Sequence, residues 1–457
     1  MIRRKLGNKK IKYYSTNLKA PEVSFHEALL KGLAPDGGLY MPNSIPALGK
    51  KEIESLFFSD YQETAFTILK EFLGDEMEES SLMTICHDAY DFSIPLEKVF
   101  NRNYILRLDQ GPTASFKDFA ARVMARLMNY FASLGNQHFT ILTATSGDTG
   151  CAVANAFHGF ENIDVIILFP FTEVTEIQRK QMTTLGGNIK VIAIDGKFDD
   201  CQRLVKQAFT DASLAGQQLS SANSINIGRL LPQSVYYFYS WSRLASSPAE
   251  KIIFSVPSGN YGNLMGGIIA REMGLPVEKF IISTNSNDEV PRYLATGVYK
   301  TIDPSVNCIS SAMNVGHPSN LARIIALYGG IMDENGVIRK KPDIERLRSD
   351  FYGTGISEEE TRDTILEFYR KYKLLLEPHG AVAWRGLESY QDIFKTYGHL
   401  AVSLETAHPA KFNDEVNRIL GFSAEMPDSL IGIVDKKEDF IKIENIYGKL
   451  KENIIKR

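Results

Sequence analysis

From Phe139 onward the chain alternates short, almost unbroken apolar runs with amphipathic stretches. The runs Phe139–Thr145 (FTILTAT), Ile163–Pro170 (IDVIILFP), Ile189–Ile194 (IKVIAI), Lys251–Val256 (KIIFSV) and Lys279–Ser283 are rich in β-branched and aromatic residues. Between them a helical period is predicted over Cys151–Phe157, Thr172–Leu185, Phe198–Phe209 and Leu264–Met273. Strands that are apolar on both faces and alternate with helices predict an α/β fold with parallel sheets covered on both sides. Such sheets place ligands at the C-terminal ends of their strands, and two adjacent α/β units leave a cleft between them. Residues 1–95 are different, mixing short helical patterns with a Gly/Pro-rich stretch from Gly32 to Pro46. The stretch from Asp435 to Arg457 alternates charges with Phe440, Ile441, Ile443, Ile446 and Tyr447 and predicts a solvated terminal helix.

At 457 residues the chain is too long for one ordinary core, so two or three packed units are expected. A net charge of −4 gives no support for a nucleic-acid partner. No apolar run approaches the roughly 18–20 residues needed to cross a bilayer. Cys86, Cys151, Cys201 and Cys308 are scattered without CxxC or zinc spacing, which suits reduced thiols in a cytoplasmic protein. The histidines lack ligand spacing, so no metal site is expected. The basic leader with Arg3, Arg4, Lys5, Lys9, Lys10 and Lys12 is followed by no apolar stretch and does not read as a secretory signal.

Five segments carry candidate chemistry. In Gly111–Ala121 (GPTASFKDFAA), Phe119, Val123, Leu127 and Phe131 keep a helical period and Gly135 is its expected stop, while Ser115 and Asp118 have capping-box spacing. Lys117 then falls in the first turn, where a cation opposes the helix dipole at a cost of up to about 1 kcal/mol; an amine nucleophile benefits from that opposition. Thr143–Gly150 (TATSGDTG) and Ser258–Asn263 (SGNYGN) leave predicted strands for helices, offering unshielded amides for an anion. No GxxxxGK[ST] occurs, so P-loop chemistry is not expected. In Asn223–Gln233 (NSINIGRLLPQ), Arg229 can take a phosphate or carboxylate in two-pronged fashion. Leu404–Phe412 (LETAHPAKF) is a late polar loop with His408 and Lys411.

Together with the opening YYSTN…SFHEALLKGLAPDGGLYMP (Tyr13 to Pro42), these segments resemble the threonine synthase family nearly end to end. The resemblance implies two doubly wound α/β domains of pyridoxal-phosphate (PLP) fold type II, like the tryptophan synthase β chain, with an N-terminal mixed domain. The expected division is 1–95 for the N-terminal domain, 134–245 for a small domain, and 96–133 with 246–457 for a large PLP-binding domain. It implies a lyase that converts O-phospho-L-homoserine and water to L-threonine and phosphate, by γ-elimination and then β-addition of water. Lys117 would carry the cofactor as an aldimine and later move protons. Gly259, Asn260, Tyr261, Gly262 and Asn263 would hold its phosphate, Thr406 its ring nitrogen, and Asp148 its 3′ oxygen, with one proton shared between that oxygen and the carboxylate. Tyr261 stands where relatives often show phenylalanine and is read as neutral packing. Thr145, Ser146 and Thr149 would receive the substrate's carboxylate or phosphate, and Asn223, Ser224 and Arg229 its phosphate. A cytoplasmic monomer or homodimer is expected, with no nucleic acid, membrane or metal partner. The alternatives are a dehydratase or phosphoamino-acid lyase of the same fold and a non-catalytic α/β binding protein.

Overall fold

The computed structural model describes residues 10–456, so most of the basic leader lies outside the described residues. Two sheets organise the chain. The larger has six strands in the order Phe351–Gly355, Val277–Thr284, Ile252–Pro257, Leu400–Glu405, Asn103–Arg107 and Leu96–Phe100. All neighbours are parallel except the last pair, which closes the edge with an antiparallel hairpin. The smaller is fully parallel, in the order Ile441–Glu444, Ile189–Asp195, Ile163–Pro170, Phe139–Ala144 and Leu219–Ser220. Every residue of Phe139–Ala144, Ile252–Pro257 and Leu400–Glu405 is buried, the result of helices on both faces. Each such Ile, Leu or Phe contributes about 1.5–3 kcal/mol on leaving water.

The strand pattern holds closely, and Ile163–Pro170 matches residue for residue. The expected helices form at Asp148–Phe157, Glu176–Thr183, Phe198–Thr210 and Gly262–Glu272. The C-terminal stretch departs from expectation. Ile441–Glu444 is an edge strand on Ile189–Asp195, and the terminal helix starts only at Tyr447. Ile443 and Tyr447 face the smaller sheet's core, which an alternating pattern accomplishes as a strand. By hydrogen bonding this tail joins the smaller sheet, not the unit 246–457 in which the sequence placed it.

The N-terminal region pairs Tyr13–Ser15 with Tyr40–Pro42 and then forms the helices Phe25–Lys31, Tyr61–Leu73 and Glu79–Ala89. The first two of these helices start at capping boxes, Ser24 with Glu27 and Asp60 with Glu63. Among the described residues no helix is long and apolar enough to cross a membrane.

Three adjacent strands of the larger sheet deliver loops to one edge. Ile252–Pro257 leads to SGNYGN, Leu400–Glu405 to Thr406, and Asn103–Arg107 to Lys117. In the smaller sheet the neighbours Phe139–Ala144 and Leu219–Ser220 lead to TATSGDTG and NSINIGR.

Candidate active site

Lys117 opens the helix Lys117–Leu134, which ends at Gly135 as expected. The expected Ser115 cap does not form. The Asp118 carboxylate reaches back instead to the Thr113 amide (2.9 Å) and hydroxyl (2.6 Å), and the Ser115 hydroxyl is buried without a partner. Phe116 N donates to Thr406 O at 2.9 Å and Ser115 bridges Ala407, which presses the lysine loop onto the end of Leu400–Glu405. Lys117 is half-buried as a residue, and its amine is desolvated. Burial first, with Arg229 and Lys411 assisting against Asp148, lowers its pKa to about 8. Desolvation is the main influence that frees this amine.

The turn after Phe139–Ala144 is built by Thr145, whose Oγ1 accepts from Gly147 N (3.0 Å) and Gly150 N (2.8 Å). Gly147 sits at φ +134°, and a Cβ there would lie 2.5 Å from the Gln178 side chain, so only glycine fits. The Thr145 hydroxyl is thus committed to the turn, whereas Ser146 and Thr149 stay partly exposed at its rim.

Asp148 lies in a buried ion pair. Its Oδ1 lies 2.6 Å from Lys411 Nζ and accepts from Gln178 Nε2 at 2.9 Å. Burial alone would raise its pKa, but Lys411 and Lys117, with these hydrogen bonds, hold it down at about 2. Lys411 is wholly buried and also donates to Thr113 O at 2.8 Å. The ion pair joins a loop of the larger sheet to one of the smaller.

A second bridge lies at the anion-binding end. Asn260 Nδ2 donates to Ser224 Oγ at 2.7 Å, and a Cβ on Gly262 would touch Ser224 Cβ at 3.2 Å. Tyr261, at φ +61°, turns the chain into the helix Gly262–Glu272, and its buried hydroxyl has no partner among the described residues. Asn263 Oδ1 accepts from Tyr236 (2.5 Å) and Tyr237 (2.7 Å), which leaves its buried Nδ2 aimed and unclaimed. A Cβ on Gly259 would meet Ala312 O at 2.8 Å, so the loop admits no side chain there. Arg229 is buried, donates Nη1 to Ala222 O at 2.7 Å and keeps Nε unpartnered. Burial lowers its pKa to about 10, so it stays charged at neutral pH. Asn223 Nδ2 reaches Ala144 O at 3.4 Å, with Oδ1 buried and unpartnered.

Thr406 Oγ1 donates to Glu377 Oε1 at 3.2 Å. Glu377 caps the helix Pro378–Phe394 through the amides of His379 and Gly380. His408 is also a cap, accepting from Ala410 N at 3.2 Å; burial, Arg107 and Lys411 lower its pKa to about 4, so it is neutral. Sequence reasoning thus brought the five loops together but missed Gln178, Glu377 and the turn Ser319–Arg323, and left Lys411 unassigned. Only the Pro-Ser-Asn cluster ahead of an apolar helix offered a local signal for that turn.

The residues fit a phosphorylated aldehyde cofactor. A nucleophilic amine, a helix N-terminus and the unpartnered side-chain amide of Asn263 are brought together.

A family model described as "Pyridoxal-phosphate dependent enzyme" matches residues 94–396, flanked by "Threonine synthase N terminus" over 12–90 and "Threonine synthase, C-terminal" over 381–454. The threonine synthase of Haemophilus influenzae is 43% identical over 419 residues, spanning 91% of this chain and 93% of that protein. The PLP-bound threonine synthase structure from Brucella melitensis superposes with a TM-score of 0.90 at 35% identity, covering 97% of this chain and 98% of that one. The Escherichia coli threonine synthase structure gives 0.87 at 36%, covering 97% and 99%.

Proposed function

This chain belongs to the threonine synthase family, and on that premise we propose that the crevice at Lys117 is where O-phospho-L-homoserine and water become L-threonine and phosphate. The activity is that of a PLP-dependent lyase acting on a small-molecule substrate. The observation that carries the site assignment is the convergence of five loops from two sheets on one desolvated lysine.

PLP, when bound, supplies the electron sink that stabilises negative charge on the substrate carbons. Lys117 is the amine that holds it. With a pKa of about 8, about a tenth of this amine is free base at pH 7, against a few hundredths of a per cent for an ordinary lysine. Once the substrate's own amine takes its place, Lys117 stays in the crevice as the base and acid for the carbon-bound protons. Gly259, Asn260, Tyr261, Gly262 and Asn263 hold the cofactor phosphate. Asp148, ion-paired with Lys411, would face the 3′ oxygen. Thr406 would present a neutral hydroxyl to the ring nitrogen, its single hydrogen turning there from Glu377.

Ser146 and Thr149, on the turn that Thr145 shapes, receive the substrate carboxylate. Asn223, Ser224 and Arg229 receive its phosphate, with the unpartnered Arg229 Nε as the principal donor. Replacing Arg229 by alanine is expected to raise the KM for O-phospho-L-homoserine by about 10- to 100-fold, with the PLP spectrum unchanged. Loss of the cofactor in that variant would overturn the assignment.

Product analysis tests the reaction itself. Incubation with O-phospho-L-homoserine should give threonine and phosphate in equal amounts, whereas 2-oxobutyrate would make the protein a lyase that adds no water. The net charge of −4 and three buried free thiols favour a cytoplasmic enzyme that has no nucleic-acid partner.

A further inference from the structure

The APDGGLY opening and the turn Gly316–Arg323 lie outside the residues assigned above, yet both end on the anion-binding wall. Arg323 is fully buried and forms no ion pair among the described residues. All five of its N–H donors are used on oxygens that carry no net charge. Nε and Nη2 donate to Tyr40 O (3.1 and 3.0 Å), Nη1 to Ser224 O (3.1 Å) and Asn320 Oδ1 (2.5 Å), and Nη2 also to Ile225 O (2.6 Å). Asn320 Nδ2 in turn donates to Asn260 O at 2.9 Å and Ser224 O at 3.3 Å, and Ser319 N to Asn260 Oδ1 at 2.6 Å. One turn therefore ties the cofactor-phosphate loop to the loop that carries Ser224 and Arg229.

The Tyr40 carbonyl is itself placed by the opening motif. Asp36 gathers the Ser15 hydroxyl (2.6 Å) and the amides of Lys19 (3.0 Å), Ala20 (2.9 Å) and Gly38 (3.0 Å). A Cβ on Gly38 would lie 2.1 Å from Ser15 Oγ, so the motif requires glycine there to bring Tyr40 alongside Ser15.

A buried guanidinium without a counter-ion is unfavourable unless an anion comes near it. Burial lowers the Arg323 pKa to about 9, which leaves it charged at neutral pH. The geometry points to Arg323 as a positioning residue for the substrate's phosphate: it clamps the carbonyls of Ser224 and Ile225 from behind and lends its unbalanced charge to the dianion bound in front. This rests on the assignment of Asn223, Ser224 and Arg229 to that phosphate. It also gives the N-terminal region a part in substrate binding, because Tyr40 holds the far side of the guanidinium.

The test uses PLP-loaded enzyme and inorganic phosphate as the probe, measured by equilibrium dialysis, with PLP content and thermal melting recorded in parallel. Arg323→Met removes charge and fork, whereas Arg323→Lys keeps the charge. The phosphate Kd is expected to rise about tenfold or more in Arg323→Met and about three- to fivefold in Arg323→Lys. PLP content should stay at that of the parent, and the KM for O-phospho-L-homoserine should rise while kcat changes less than about threefold. If the methionine variant does not fold, Arg323→Lys decides through the same readings. A phosphate Kd within about twofold of the parent in either folded variant overturns the proposal. Arg229→Ala separates the two levels. If it too leaves the phosphate Kd unchanged, the underlying site assignment fails; if it alone weakens phosphate, only the role of Arg323 fails.

Discussion

Replacing Lys117 by alanine is expected to lower turnover by about a thousandfold or more and to abolish the absorption near about 410–420 nm that a lysine-linked PLP gives. No neighbour can substitute. Lys411 is buried and pinned to Asp148 at 2.6 Å, and Arg229 has no nucleophilic amine. The fold should not suffer. Lys117 has a folded pKa of about 8, below its ordinary value of 10.5, so its charge costs stability below pH 8 and that cost fades as pH rises toward 10.5. The cofactor-free alanine variant should therefore melt at or above the cofactor-free parent at pH 7, as calorimetry would read. A lowered melting point together with lost activity would instead mark Lys117 as a structural residue.

The second large effect is expected at the Asp148–Lys411 pair. Lys411→Met strands a buried carboxylate and Asp148→Asn strands a buried ammonium, and each should destabilise by about 3–5 kcal/mol. The double variant removes both charges and should recover much of that loss, giving a coupling of about 2 kcal/mol or more in a double-mutant cycle by urea unfolding. The Asp148 pKa is held at about 2, below its ordinary 3.8. Its contribution is therefore fully present above about pH 4 and disappears as pH falls through 2. The double variant should lose that acid-side dependence. Additive single effects would show that the two groups act separately.

Much of this architecture could be read from residue patterns because burial on both faces leaves so plain a trace. Ile163–Pro170 is apolar apart from Asp164 since helices cover both of its sides. The turns were visible for a related reason: SGNYGN and TATSGDTG concentrate glycine where backbone must approach a ligand or another segment, as at Gly259 and Gly147. The edge strand Ile441–Glu444 was hidden because exposure lets charges alternate with its isoleucines, and four alternating residues look much like a solvated helix. Asp118 looked like half of a capping box, but its hydrogen bonds run to Thr113 in the preceding loop. Lys411, Gln178 and Arg323 left the weakest trace. Each works through partners far away in the chain, and a buried lysine or arginine looks like a surface one until the fold supplies its neighbours.

The most direct test is to treat PLP-loaded enzyme with borohydride, which fixes an amine already joined to the cofactor's aldehyde, and to map the modified peptide by mass spectrometry. The pyridoxyl group is expected on Lys117 alone, at one per chain, with loss of activity in proportion. A label on Lys411 or another lysine, or active enzyme with Lys117 unmodified, would contradict the central claim.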